Sequence, residues 1–285
     1  MPGGDAGGVG GGAASGVRLQ PLLVRTAAAE VGAFAAALGL PATCGPAPLT
    51  FPIRWLGQPE LRREIVQRFG ARHGVLVHQS QSFVFGGVLG IERDYRLEAV
   101  VRSDAGRVIL TAAVRERTNE ILRMETVLRV AESAPAAASR RRAPPLGETP
   151  IPELRLGPIG LGQTRRYAAA ALDDNPVHTD IAAARAAGLS DVIVPGMFIA
   201  GQFERALLGW RRDLSIHRLH AMFLQPLPVG GGIVVGSRIV RSARQGDCEQ
   251  MVVRLIVRSD RDEPLCVGEV EALAPAASAS PLPAR

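Results

Sequence analysis

The densest cluster of reactive side chains lies between Asp173 and His178, where the sequence reads DDNPVH. On an unbroken helix these two side chains would face about 140° apart. Pro176 prevents that arrangement, because it biases Asn175 to an extended conformation and ends the preceding helix near Leu172. The carboxylate and the imidazole can then converge on one small volume. Around one water molecule, such a pair can move protons on and off oxygen and carbon near neutral pH.

A second chemical feature follows eighteen residues after His178, where Val194-Pro195-Gly196 predicts the start of a longer helix. The unpaired N–H groups of a helix start attract negative charge, and Gly196 has no Cβ to keep a substrate carbonyl away. Aimed at a thioester oxygen, these amides would stabilise the enolate that forms when a proton leaves or joins the α-carbon. An acid/base pair beside such an oxyanion hole suggests addition or elimination of water next to a thioester.

The same residues have structural interpretations that stay open at this point. Asp173 and His178 could form an ordinary polar turn, in which the aspartate caps a helix and the histidine is merely hydrogen-bonded. Asp174 could be the acid in place of Asp173, although a solvated turn carboxylate fits its position better. Gly196 could simply begin a helix. The residue types also leave open which member of the pair removes the proton.

The other histidines predict no metal site. We expect His78 and His220 to be buried and hydrogen-bonded, and His73 and His217 to lie on the surface. No pair of histidines joins a carboxylate at the spacing of metal ligands, and addition of water moves no electrons. We therefore expect neither a metal nor a cofactor.

Composition limits the class of protein. With 285 residues, 47% of them hydrophobic and 21% charged, the chain predicts about two domains with filled cores, which excludes wholesale disorder. The three cysteines, Cys44, Cys248 and Cys266, are scattered and form no CxxC pair, which excludes a disulfide scaffold. The formal net charge of +6 permits anionic partners, but aromatic residues make up only 4%. We expect no nucleic-acid partner.

The sequence lacks the features of a membrane span and of a secretion signal, which bears on the location of the protein. It has no uncharged apolar run of about 18 residues, so we expect no membrane partner. The segment from Pro2 to Gly16 is mostly Gly and Ala without the apolar core of a secretion signal. It reads as a flexible leader, and a cytoplasmic location is the expectation.

A composition shift at 132–150 divides the chain into two parts. This segment is rich in Ala, Pro and Ser, carries the triplet Arg140-Arg141-Arg142 and lacks apolar periodicity, which indicates a linker. Runs rich in Val, Ile and Leu predict three strands on each side of it. These strands are Tyr95–Val101, Arg107–Val114, Ile121–Val130, Ile233–Val240, Gln250–Val257 and Leu265–Ala272. Each part is therefore expected to end in an antiparallel sheet.

Both parts also contain an Ala-rich helix that runs into a proline, Ala29–Leu40 in the first and Thr164–Leu172 in the second. A short helix is predicted over Ile181–Ala187. In the longer helix that begins at Pro195-Gly196, apolar residues recur every three or four positions, which predicts one buried stripe. Gln202, Glu204, Arg205 and Arg211 are predicted to face elsewhere. We interpret the two parts as a diverged tandem duplication with an α+β architecture, one helix laid across an antiparallel sheet, twice over.

The stretch from Tyr167 to Gly196 resembles the signature of MaoC-like (R)-specific enoyl-CoA hydratases and 3-hydroxyacyl-thioester dehydratases. The resemblance rests on the residues Asp173-x-Asn175-Pro176-x-His178 and on Pro195-Gly196-Met197. The first part of the chain is similar to the degenerate N-terminal MaoC-like domain of two-domain members. The residues that suggest this are Phe34-Ala35-Ala36 and Thr50-Phe51-Pro52.

This resemblance implies a tandem double hotdog fold, in which a long helix in each half is wrapped by an antiparallel sheet and the acyl chain threads between the halves. Asp173 and His178 would together activate water for syn addition to a trans-2-enoyl thioester. Asn175 and Pro176 would hold the turn, and the Gly196 N–H would bind the thioester oxygen. The substrate would be an acyl-CoA or an acyl carrier protein thioester. A homodimer is a further expectation.

The resemblance also implies a division of the chain into domains. We predict a flexible Gly-rich leader over 1–16, a degenerate hotdog domain over 17–131, a linker over 132–150, a catalytic hotdog domain over 151–274 and a flexible tail over 275–285. In the first domain Gly39-Leu40-Pro41 replaces the acid, with no histidine nearby. One active site per chain is therefore expected.

Leu172 departs from the family pattern, which has glycine directly before the catalytic aspartate. If that glycine serves an unusual backbone angle, Leu172 would shift Asp173 and weaken activity. This departure supports one alternative, a non-catalytic subunit that binds acyl thioesters. A second alternative is a thioester hydrolase on the same fold.

Arginine doublets are the candidate contacts for the phosphates of coenzyme A. Arg165-Arg166 and Arg211-Arg212 could meet them, because the guanidinium fork suits phosphate oxygens. All basic side chains of this sequence are arginine, however, so that such doublets more often form a solvated face.

Overall fold

In the computed structural model, the described residues are 16–41, 45–69, 75–104, 106–131 and 149–275. We call 16–131 the front half and 149–275 the back half. The predicted leader, linker and tail lie outside the described residues except at their ends, and so do Cys44 and His73. The domain boundaries therefore stay predictions.

The front half contains six strands and three helices among its described residues. In chain order they are β1 (Val17–Arg18), β2 (Leu22–Arg25), α1 (Ala28–Leu38), α2 (Ile53–Leu56), α3 (Pro59–Phe69), β3 (Val75–Phe85), β4 (Asp94–Asp104), β5 (Arg107–Glu116) and β6 (Asn119–Ala131). The predicted helix and all three predicted strands of this half are present, within a few residues at each end.

The back half contains five strands, three α-helices and one short 3₁₀ turn. In chain order they are β7 (Thr149–Leu156), α4 (Leu161–Ala171), the 3₁₀ turn Pro176–His178, α5 (Ile181–Ala186), α6 (Gly196–Trp210), β8 (Ser215–Phe223), β9 (Ile233–Gln245), β10 (Cys248–Ser259) and β11 (Pro264–Pro275). No helix among the residues the structure describes has the length and apolar character needed to cross a membrane.

The two halves repeat one strand order. The front half runs β1-β4-β5-β6-β3, with β2 also paired to β4, and the back half runs β7-β9-β10-β11-β8 from the opposite edge. The strands β3 and β8 pair antiparallel in the middle, from Ser80 opposite Met222 to Val84 opposite Arg218, so that one eleven-stranded sheet results. The sheet is antiparallel throughout, and the helices pack on it, which confirms the α+β class.

The helix α6 is covered on two sides, and here the sequence prediction was wrong. Gln202 and Glu204, which we expected to face away from the core, are 0% and 8% exposed. The Gln202 amide donates to the carbonyls of Leu38 and Phe198, both at 3.3 Å, and a carboxylate oxygen of Glu204 accepts from the Leu49 N–H at 2.9 Å. The polar face of α6 is buried because the front half packs against it.

Burial also changes the acidity of Glu204. Removal of this carboxyl group from water raises its pKa to about 7, and the hydrogen bond from the Leu49 N–H only partly opposes the shift. A carboxyl group whose pKa is higher in the folded than in the unfolded chain binds its proton more tightly in the folded state. Its ionisation therefore lowers stability as the pH rises from the ordinary pKa of 4.5 to about 7, and the loss is constant at higher pH.

We predict that Glu204→Gln stabilises the protein at alkaline pH and has little effect in acid. The glutamine keeps an oxygen for the Leu49 N–H and removes the buried charge. Urea unfolding at about pH 5 and about pH 8 should show a gain of about 2–3 kcal/mol that appears only at the higher pH. Glu263→Gln, at an exposed position, is the control. An equal effect of Glu204→Gln at both pH values would contradict the prediction.

Candidate active site

A cavity of about 900 Å³ lies between the two halves. Its wall contains all five residues that the sequence singled out, namely Asp173, Asn175, Pro176, His178 and Gly196. The opposite wall belongs to the front half and includes apolar side chains of α2, α3, β5 and β6, among them Leu56, Ile65, Leu110 and Leu128. A cavity of this size and character is typical of sites that bind small molecules.

The turn that carries Asp173 begins where α4 ends. Leu172 has φ 52° and ψ 34°, the left-handed conformation, and its N–H donates to the carbonyl of Ala169 at 3.3 Å. The Asp173 N–H donates to the carbonyl of Ala168 at 2.9 Å, which completes a Schellman motif. Leu172, where the family pattern has glycine, thus takes a left-handed angle that favours glycine. The unusual backbone angle is present without glycine, and Asp173 still lies in the cavity wall.

Asp173 and His178 lie side by side in this wall. One carboxylate oxygen of Asp173 (Oδ1) accepts from the Asn175 N–H at 3.2 Å, and the other (Oδ2) lies 3.6 Å from Nε2 of His178. A separation of 3.6 Å is too long for a direct hydrogen bond. Asp173 is one-third exposed and His178 is almost fully buried. Two polar atoms at this distance, one of them accessible, can both contact one water molecule or one substrate hydroxyl.

The tautomer of His178 follows from its second nitrogen. Nδ1 lies 2.8 Å from the carbonyl oxygen of Ile193, which only accepts, so that Nδ1 carries the proton of the neutral ring. The lone pair is then on Nε2, the atom that faces Asp173. In this state His178 presents a base to the cavity.

The bend between the two side chains has the local cause expected from sequence. Asn175 is extended, with φ −61° and ψ 113°, and Pro176 begins the 3₁₀ turn that ends at His178. The Asn175 side chain accepts from the Val177 N–H at 3.4 Å. Asn175 and Pro176 therefore hold the turn geometry.

Gly196 begins α6 and lies in the same cavity wall. Within the described part of the chain, no acceptor bonds to its N–H, as is usual for the first residue of a helix. A Cβ at this position would lie 3.0 Å from the ring of Phe223, so that the space above the backbone admits no larger residue without movement. The Gly196 amide is thus a donor at the cavity wall that no acceptor among the described residues uses.

Sequence reasoning missed that His78 reaches the cavity. We expected a buried and hydrogen-bonded histidine, and His78 does contact the carbonyl of Ser80 at 3.2 Å, but its ring also lines the cavity. Burial lowers its pKa to about 4, against a smaller opposing effect of Asp173. His78 is therefore a neutral polar group on the front-half wall. The signal in the sequence is the polar run His-Gln-Ser-Gln-Ser within an otherwise apolar strand.

The arginine doublets do not line this cavity. Arg165 donates to the carbonyl of Thr179 at 3.1 Å, and Arg211 pairs with Asp213 at 2.8 Å. The arginines in the cavity wall are Arg62 and Arg129, both from the front half. Among the residues described, no group of three His, Cys, Asp or Glu side chains could hold a metal ion.

Comparison with protein families identifies the back half. Residues 144–260 match the model of the MaoC-like domain. The back half is a MaoC-like domain. A comparison with curated proteins finds no match to the chain.

Solved structures identify the fold of the whole chain. A MaoC-like dehydratase has a TM-score of 0.73 at 17% identity, with 91% of this chain and 97% of that chain covered. HtdX from Mycobacterium tuberculosis has a TM-score of 0.60 at 22% identity, covering 89% and 98%. Another Mycobacterium tuberculosis protein, described as having a double hotdog fold, has a TM-score of 0.62 at 13% identity, covering 89% and 95%. At these identities the likeness establishes the double hotdog fold.

We predict that the neutral His178 ring carries its proton on Nδ1, whereas free histidine favours Nε2. Nitrogen-15 NMR of histidine-labelled protein near neutral pH should show a protonated Nδ1 and an unprotonated Nε2 for one residue. The His178→Gln variant, which lacks this signal pair, provides the assignment. A His178 ring protonated on Nε2 would contradict the proposed bond to the Ile193 carbonyl.

Proposed function

We propose that this protein catalyses the reversible hydration of trans-2-enoyl thioesters, and in reverse the dehydration of (R)-3-hydroxyacyl thioesters. The observation that carries the proposal is the separation of 3.6 Å between Oδ2 of Asp173 and Nε2 of His178 in the wall of the cavity between the halves. The MaoC-like domain assignment of residues 144–260 supports it.

The water that adds would lie between these two side chains. It would donate one hydrogen to Nε2 of His178, which has a lone pair because Nδ1 donates to the Ile193 carbonyl. Its second hydrogen would form a hydrogen bond to Oδ2 of the Asp173 carboxylate, whose other oxygen already accepts from the Asn175 N–H. The lone pairs of the water oxygen then point at the substrate, and a positioned base of this kind accelerates proton transfer by about 10²–10⁴-fold.

The electrons of the double bond would move toward the thioester. As the water oxygen bonds to C3, the C2–C3 π bond breaks and negative charge develops on the thioester oxygen. The Gly196 N–H at the start of α6 would stabilise this enolate. His178 takes one proton from the water and then delivers that proton to C2, while the second hydrogen stays on the oxygen as the new hydroxyl group at C3. One molecule of water is thus added in total, and both new bonds form on one face of the double bond.

The carrier and the acyl group would occupy the two ends of the cavity. The apolar front-half wall suits an acyl chain, the thioester would lie at Asp173, His178 and Gly196, and the CoA or acyl carrier protein attached to it would extend outside the cavity. No electrons are transferred in this reaction, so it needs no redox cofactor. A cytoplasmic location and a homodimer stay predictions.

Two other functions fit the same fold, a thioester hydrolase and a non-catalytic subunit that binds acyl thioesters. One experiment distinguishes them from hydration. Incubation with crotonyl-CoA should remove the absorbance of the conjugated double bond without release of free thiol. Thiol release would indicate a thioester hydrolase instead. Thermal stabilisation by acyl-CoA without any turnover would indicate a non-catalytic binding subunit. A panel of enoyl-CoAs of differing length and branching then defines the acyl group.

We predict that Asp173→Asn and His178→Ala each lower turnover by about 10²–10⁴-fold, because each removes one of the two groups that contact the water. Folding and the binding of acyl-CoA should be largely retained, as followed by circular dichroism and calorimetric titration. Steady-state kinetics with crotonyl-CoA gives the comparison.

Asp174→Asn is the matched control for Asp173→Asn. The Asp174 carboxylate faces Arg62, not His178, and is 65% exposed, so that its loss should cost far less turnover. Wild-type turnover in both the Asp173 and the His178 variants would refute the assignment. A larger loss in Asp174→Asn than in Asp173→Asn would transfer the role of acid to Asp174.

A further inference from the structure

We infer that the front half fixes the position of Asp173, and that Arg54 and Gly57 are the positioning residues through which it does so. The inference rests on the proposed function, since it assigns these residues to the same site. Both belong to the segment around α2, and both contact the end of α4 immediately before Asp173. The turn at Leu172 is thereby held from outside as well as by its own hydrogen bonds.

Arg54 completes the capping of α4. The last carbonyls of a helix have no partner within it, and those of Ala168 and Ala169 accept from the N–H groups of the turn itself. The carbonyl of Ala170 accepts instead from Nη1 of Arg54, at 2.7 Å. The guanidinium is only 12% exposed, and its Nη2 donates to Glu30 on α1 at 2.6 Å.

The charge of Arg54 is well placed for this contact. A cation at the C-terminal end of a helix interacts favourably with the helix dipole. The guanidinium is also fixed at two points, by the Ala170 carbonyl and by the Glu30 carboxylate, so that it cannot rotate freely. Arg54 therefore ties the end of α4 to α1 of the front half.

Gly57 supplies a contact of a different kind. Its backbone lies so close to Leu172 that an added Cβ would overlap the Leu172 carbonyl oxygen and would lie 2.9 Å from the Leu172 Cβ. Gly57 itself has φ −82° and ψ −1°, which any residue can adopt. Glycine is thus required here by the proximity of Leu172 and not by its own conformation.

These contacts bear on the strain at Leu172. A residue with a Cβ in the left-handed conformation is strained by about 1–2 kcal/mol, and such strain persists where the surroundings hold it. Gly57 lies close against the Leu172 backbone, and Arg54 holds the carbonyl of Ala170, so that the turn has little room to relax without moving the front half. A third contact, the ion pair of Arg62 with Asp174, is largely exposed and contributes little.

Gly57→Ala is the first test. Alanine suits the φ and ψ of residue 57, but its methyl group would overlap the Leu172 carbonyl, so that Leu172 and with it Asp173 should move. We expect kcat with crotonyl-CoA to fall by about 100-fold, as for a displacement of about 1 Å at a reacting group, with KM nearly unchanged. Gly32→Ala on α1 is the matched control, because nothing lies within 4 Å of its added Cβ.

Arg54→Met is the second test. It keeps most of the apolar stem and removes the donors to Ala170 and Glu30, and kcat should fall by about tenfold. Arg115→Met is the control, since Arg115 likewise donates from Nη1 to a backbone carbonyl, that of Thr118, and from Nη2 to a carboxylate, that of Glu120, but lies on β5 away from the end of α4. Arg54→Lys, which keeps the charge, should recover part of the loss.

NMR of the His178 ring separates the failure of this inference from the failure of the proposed function. In Gly57→Ala the ring signals of His178 should shift because Asp173 moves, and in Gly32→Ala they should not. The shift is expected whether or not the wild-type protein hydrates crotonyl-CoA. Unchanged signals together with unchanged kcat in both Gly57→Ala and Arg54→Met would overturn the inference. Equal losses in the variants and their controls, or losses confined to global stability, would also overturn it.

Discussion

The left-handed turn at Leu172 is the constraint on which the candidate site depends. It ends α4 and turns the chain so that Asp173 enters the cavity wall, and the short 3₁₀ turn that follows brings His178 alongside. A leucine is strained in this conformation, so the turn needs support. Its own Schellman hydrogen bonds supply part of that support, and contacts of Arg54 and Gly57 from the front half supply the rest.

The front half contains the same turn without the chemistry. Helix α1 also ends in a Schellman motif, with Gly39 at φ 71° and the Leu40 N–H donating to the carbonyl of Ala35 at 2.9 Å. Leu40 stands where the back half has Asp173, and it is buried. In the front half the left-handed position is occupied by glycine, which is unstrained there, and the next side chain is apolar. This turn therefore serves packing. In the back half a strained residue precedes a partly exposed carboxylate.

Local features of the fold could be predicted from sequence, and features that depend on the second half could not. The strands β4, β5, β6, β9, β10 and β11 are rich in Val, Ile and Leu and were predicted. The strands β3 and β8 were missed, because they meet at the junction and contain polar residues there, such as Ser82 and His220, which bond at 2.7 Å. Gln202 and Glu204 on α6 looked like surface residues because their partners lie in the front half.

The candidate site also combines local features, which the sequence predicts, with tertiary contacts, which it does not. This difference explains why the departure at Leu172 was misleading when it was considered alone. Asp173 and His178 are five residues apart, so that the rules for proline and for extended residues suffice to bring them together. The support of the turn is a tertiary property: Arg54 and the Ala170 carbonyl are 116 residues apart in sequence. A leucine in place of glycine looks disabling when only the motif is considered, since its strain is visible and the opposing contacts are not. The tolerance of such a residue is therefore decided by how closely the other half packs on it.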